Sequence, residues 1–218
     1  VKKGVVLLLT LFFITTISVL VLQNLDDTDT FLKKQNYIVD NTQVLISIKD
    51  TKNEVAKLIK RYKDDIDEAL ETDFFANNYI PINLSNLNVT FKLSKYDSID
   101  INNINEKESN NILRTFNENN VYNFDLFKQI YNEKIEFNSK KSDNNKIQNH
   151  KQLDDIINTF IIRSSSDDIL RIKDSLGFIK SDNLYELIIK AEYDEAKTMA
   201  YYILSQEGEV KYFDISFN

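Results

Sequence analysis

The chain has 218 residues, 42% hydrophobic and 28% charged, with a formal net charge of −7, no cysteine and one histidine. That length holds one membrane segment plus one compact domain, which takes on the order of 100 to 200 residues. The acidic balance excludes nucleic acid as a partner, since a phosphate-binding surface needs clustered Lys and Arg, and the lack of Cys excludes disulfides, thiolate metal sites and a Cys nucleophile.

Residues 4 to 25 carry no charge, and the apolar run Val5–Leu22 spans roughly 27 Å as a helix, enough to cross a bilayer. Lys2 and Lys3 precede it while Asp26, Asp27 and Asp29 follow. The positive-inside bias therefore predicts a single-pass inner-membrane protein, with a cytoplasmic N-terminus and an exported, periplasmic C-terminal domain. No small residues stand where a secretory peptidase would cut.

From Phe31 to Phe75 the pattern is helical. Ile48, Val55, Ile59, Tyr62, Ile66 and Leu70 recur at spacings of seven, four, three, four and four, which predicts one apolar stripe facing the domain's own core. Lys52, Glu54, Lys57, Lys60, Lys63 and Asp64 occupy the opposite face. Whether "NYIVDN" around Tyr37 interrupts or merely bends this path stays open. Leu87, Val89, Phe91 and Leu93 alternate with polar residues as in a half-buried strand, and Pro81 between Ile80 and Ile82 predicts a loop or an edge.

A helical middle follows. Asn105 and Glu108 resemble a capping pair ahead of Ile112, Leu113 and Phe116. Phe124, Phe127 and Ile130 form a second stripe, and Leu153, Ile156, Ile157, Phe160 and Ile161 a third. "NSKKSDNNKIQN", Asn138 to Asn149, reads as a polar loop, and His150 falls beside it. "SSSDD", Ser164 to Asp168, reads as a helix start with Ser166 as cap. At the C-terminus, alternating Tyr185, Leu187, Ile189, Ala191 and Tyr193 open a three-strand antiparallel meander whose last turn contains "QEGE".

"KKG" followed by "VVLLLTLFF" resembles the leader of type IV pilins and of type II secretion pseudopilins. That resemblance implies cleavage between Gly4 and Val5 by a prepilin peptidase and N-methylation of Val5. Leu9 stands where these families usually carry Glu, and lack of that Glu marks the K-type minor pseudopilin at the fibre tip. "FKLSKYDSIDINNINEKES" is similar to the stretch that ends this family's first strand region, with Asp97, Ile99, Ile101 and Asn102 in comparable places. "NLYELIIKAEYDEAKTMAYYILSQEGEVKYFDISFN" is similar to its closing meander.

The resulting expectation is an α+β fold: a long N-terminal helix, transmembrane then amphipathic, packed on a small antiparallel sheet, with a helical insertion between strands. Its divisions are a leader at 1–4, a transmembrane helix at 5–25, a helical stalk at 26–80, a first strand region at 81–103, a helical insertion at 104–180 and C-terminal strands at 181–218. The resemblance implies a structural subunit of a type II secretion pseudopilus, whose partners are other minor pseudopilins, the secretion platform, the inner membrane and secreted cargo. The alternatives are a type IV minor pilin and a single-pass protein with an exported sensory or ligand-binding domain. No enzyme is expected, since no nucleophile–base pair and no glycine-rich phosphate loop can be assembled. Nor is a cofactor expected. Calcium is the one metal to weigh: Asp97, Asp100, Asn102, Asn103 and Asn105 are dense in oxygen but miss the EF-hand spacing, and the resemblance raises the prospect slightly.

Overall fold

The computed structural model describes the backbone of residues 2–63, 65–72, 75, 78–84, 87–106, 109–141, 145–194 and 196–217, without side chains for 2–17, 19, 20, 83, 84, 109 and 141. The fold is α+β, with a long N-terminal helix and a five-stranded antiparallel sheet. The chain divides into two compact units: residues 1–94 with 186–218, and residues 95–185.

In the first unit, α1 (Lys2–Arg61) runs without a break through Tyr37–Asn41. Asn41 and Thr42 turn their side chains back onto the carbonyls of Tyr37 and Ile38, at 2.8 and 2.7 Å, so these polar residues bond the helix itself rather than ending it. A short helix α2 (Ile66–Leu70) follows. Strand β1 (Ile80–Leu84) is an edge, as Pro81 requires, and pairs antiparallel with β2 (Leu87–Lys95). The strand order is β1-β2-β5-β6-β7, with β5 (Leu184–Tyr193), β6 (Ala196–Ser205) and β7 (Val210–Phe217) forming the C-terminal meander.

Helix α1 lies against β6. Val44, Ile48, Val55 and Ile59 are buried, and so are Leu187, Ile189 and Ala191 on β5 and Ala196, Ala200 and Leu204 on β6. Small residues on β6 let the helix approach the sheet closely. Of the predicted stripe, Ile48, Val55 and Ile59 are buried on α1 and Ile66 on α2, Leu70 is half-buried, and Tyr62, just past the end of α1, is 49% exposed. At the β6–β7 turn, Gly208 has φ +77 and a Cβ there would stand 2.8 Å from the Ala56 carbonyl oxygen, so both conformation and space demand glycine.

The second unit holds a parallel bridge between β3 (Ile99–Asp100) and β4 (Leu176–Gly177), and helices α3 (Ser109–Glu118), α4 (Phe124–Lys141) and α5 (His150–Ser164). Phe116, Phe127 and Phe160 meet with ring centroids 5.1 to 6.3 Å apart, one from each helical stripe of the sequence. Asn149 caps α5, its side chain accepting from the Gln152 amide at 2.9 Å. The proposed Asn105–Glu108 cap lies outside the described residues at Glu108, and Asn105 donates to Asn132 Oδ1.

Several expectations need correcting. A single-pass inner-membrane placement, with a cytoplasmic N-terminus and a periplasmic domain, is not supported: among the described residues no helix is long and apolar enough to cross a membrane. Past Val21 the described part of α1 carries Asp26, Asp27, Asp29, Lys33 and Lys34 within about four turns, and a charge at the bilayer centre costs at least about 2.5 kcal/mol. The expected span Val5–Leu22 has described side chains only at Ser18, Val21 and Leu22. Asn138 to Lys141 is helical rather than loop, stabilised in part by Glu136–Lys140 one turn apart, and His150 is the first residue of α5 with its ring edge-on to Phe178. Ser166 is not the cap of a helix: only a 3-10 turn, Asp168–Arg171, follows, with Asp167 at its N-cap position, and the Ser166 hydroxyl oxygen instead accepts from the Asp168 amide at 3.2 Å.

Candidate functional site

Two regions gather the residues that sequence singles out. The first is the Asp97–Asn105 segment of the second unit. Ile101 and Ile104 are fully buried and hold the segment as a pin, leaving Asn102 between them facing neighbouring backbone. Its amide donates to the Ile147 and Phe178 carbonyls at 3.1 and 2.9 Å, and its oxygen accepts from the Ile147 amide at 2.8 Å and the Tyr131 hydroxyl at 3.1 Å. A carboxamide has two donors and two lone pairs, so this one is fully used. Its own backbone N–H donates to Asp100 Oδ1 at 2.9 Å.

Beside this hub lies a polar cleft of about 390 Å³ lined by Asp97, Asp100, Arg114, Glu118, Lys180 and Asp182, among others. Two ion pairs cross its wall, Arg114–Glu118 at 2.8 Å and Lys180–Asp182 at 3.0 Å. Burial pushes the Asp100 carboxyl above the usual carboxylate range, against the lowering effect of the Asn102 amide. Burial also pushes the Tyr131 hydroxyl up to about 12, with the negative charges of Asp100 and Glu106 adding to it.

The oxygen atoms weighed for calcium are therefore placed as follows. Asp100 accepts from a backbone amide, Asn102 is spent on four bonds, and Asn105 donates to Asn132. Asp97 and Asn103 join Asp100 in the cleft wall. Among the described residues, no three His, Asp or Glu side chains are placed to share a metal ion.

The second region is the N-terminal part of α1. Gly4, Val5 and Leu9, the residues of the leader resemblance, lie outside those whose side chains are described. Beyond them, Leu25, Phe31, Leu32, Ile38, Val39, Leu45 and Ile46 are each at least 40% exposed. They form two columns of seven-residue period: Phe31, Ile38, Leu45, and Leu25, Leu32, Val39, Ile46. Seven residues are nearly two turns, so each column drifts only about 20° per repeat.

Thr28, Gln35 and Thr42 run between the columns. Thr28 and Thr42 donate back to the carbonyls of Asn24 and Ile38 at 2.6 and 2.7 Å, which leaves their methyl groups outward. Asp26, Asp29, Lys33 and Asp40 fall on the far side of the helix, while Asp27 and Lys34 border the face. At 100° per residue this face is roughly opposite to the one that Val44, Ile48 and Val55 turn to the sheet. Helical patterning reads both faces as one apolar population. Only burial separates them, since the buried stripe also takes a seven-residue step, from Ile48 to Val55.

Set beside known proteins, the chain matches no family model, no curated protein and no solved structure.

Proposed function

We propose that this chain is a non-catalytic assembly subunit, a minor pseudopilin of the K type at the tip of a type II secretion pseudopilus. The observation that carries this reading is the face of α1 from Val21 to Ile46. It is apolar or neutral throughout, exposed, and turned away from the chain's own sheet. A lone helix with such a face has unmet apolar area, which packing against neighbouring helices of sister subunits removes from water. The α+β domain at the other end of the same helix then presents its sheet and helical insertion to sister subunits or secreted cargo. Leader cleavage at Gly4, N-methylation of Val5 and the missing Glu at Leu9 belong to the same proposal.

Mass spectrometry of the mature N-terminus tests it. A chain starting at methylated Val5, in cells that hold a prepilin peptidase, supports the reading, and a chain that retains Lys2 and Lys3 sinks it. A second reading, a ligand-binding domain, is favoured by the polar cleft around Asp100 and Arg114. A small polar ligand that raises the melting temperature of the protein but not of an Arg114→Ala variant would select it.

A further inference from the structure

We infer that a groove alongside α1 is a two-fold docking surface for a second copy of this chain, with the Asp50–Arg61 stretches of the two helices running antiparallel. The groove, about 500 Å³, opens between the last turns of α1 and the β1–β2 hairpin. Thr51, Val55, Leu58, Tyr62, Ile82 and Phe91 line it, and of these Leu58 and Tyr62 leave apolar surface in water, 36% and 49% exposed. An apolar trough of this size beside a helix fits another helix.

The charges of its rim say which helix. Asp50 and Glu54 stand at one end, Lys57 and Arg61 at the other. Asp50 and Arg61 are eleven residues apart, about three turns and roughly 16 Å, so they share one face. An antiparallel second copy therefore brings Asp50 opposite the partner's Arg61 and Glu54 opposite the partner's Lys57, each twice by symmetry, as an isologous contact requires. A parallel copy would set like charges together.

Within the chain Glu54 and Lys57 already meet at 2.7 Å, an exposed pair that exchanges partners at little cost. Among the described residues neither Asp50 nor Arg61 has an ion-pair partner. The neighbouring strand edge is closed to the alternative of strand addition by Pro81, which lacks a donor. This contact uses the C-terminal part of α1 and does not rest on the fibre reading, so either can fail without the other.

Sedimentation velocity of the full chain tests it. The wild type is expected to be a concentration-dependent dimer that weakens as salt shortens electrostatic reach. Asp50→Arg alone and Arg61→Asp alone each turn both symmetry-related Asp50–Arg61 contacts into like-charge ones, and are expected to weaken the dimer about tenfold or more. Mixed together, the two variants place Arg opposite Asp at both ends and are expected to associate as a heterodimer of wild-type strength. Far-UV circular dichroism of each variant should match the wild type, since both side chains are exposed. A wild type that stays monomeric, single variants that dimerise unchanged, or a mixture no stronger than its components would each overturn the inference, leaving the groove to a different helix.

Discussion

Gly208 and Asn102 are the two residues on which most local geometry depends, and for different reasons. At Gly208 the demand is steric: the left-handed backbone and the Ala56 carbonyl leave no place for a Cβ. Gly208→Ala is expected to lower stability by about 1–3 kcal/mol, read as a drop in urea midpoint with an unchanged slope. At Asn102 the demand is for hydrogen bonds. Asn102→Ala strands two carbonyls, an amide and a hydroxyl in a half-buried place, and should cost about 2–4 kcal/mol in the same measurement. The Tyr131 hydroxyl in this network gives a pH dependence with a definite sign. Its folded pKa is raised, so the folded state holds its proton longer than the unfolded chain, and stability present below about pH 10 is lost as pH rises towards about 12. Tyr131→Phe should remove that alkaline loss, as followed by thermal melts between pH 9 and pH 12 set against tyrosinate absorbance. Sequence marks Asn102 through the resemblance of "FKLSKYDSIDINNINEKES" and as one of a dense group of oxygen-bearing side chains. What the residue does, closing four bonds to partners up to 76 positions away, belongs to tertiary structure.

At the scale of elements, α1 carries two apolar faces with different destinations. The C-terminal half turns Val44, Ile48, Val55 and Ile59 to the sheet, where truncation of any one removes buried contacts. The N-terminal half turns Leu32 and Val39 to solvent. Leu32→Asp with Val39→Asp is therefore expected to shift domain stability by no more than about 0.5 kcal/mol. The same pair should abolish cross-linking to sister subunits in cells, and assembly that survives it would count against the fibre reading. Strands β2 and β5 were legible from strict alternation because one face of the sheet is buried, with Val89 and Leu93 on the first and Leu187 and Ile189 on the second. The β3–β4 bridge was not legible. It joins two-residue segments far apart in sequence, and Gly177 sits there because a Cβ would collide with the Tyr96 hydroxyl and with Ser98 Cβ at 2.7 Å.

At the scale of the whole molecule, residues 95–185 form one contiguous unit inserted between sheet neighbours β2 and β5. Neighbouring antiparallel strands need only a short hairpin loop. Replacing 95–185 by such a loop, joining Ser94 to Glu186, is expected to leave a helix-and-sheet protein that unfolds in one cooperative step by circular dichroism. Loss of cooperativity would mean that the first unit's core is not self-sufficient. Sequence alone determined the α+β class, a long N-terminal helix, the three apolar stripes of the insertion and the closing meander, and narrowed Pro81 to a loop or an edge, of which the fold takes the edge. Each of these follows from local periodicity or turn chemistry, which act between residues a few positions apart. Tertiary structure alone decided which face of α1 is covered and which is bare, and that Asn102 is a fastener rather than a free oxygen ligand. It also set Asp50 and Arg61 at the two ends of one groove. Burial and pairing between distant residues fix these features, and no local pattern encodes them.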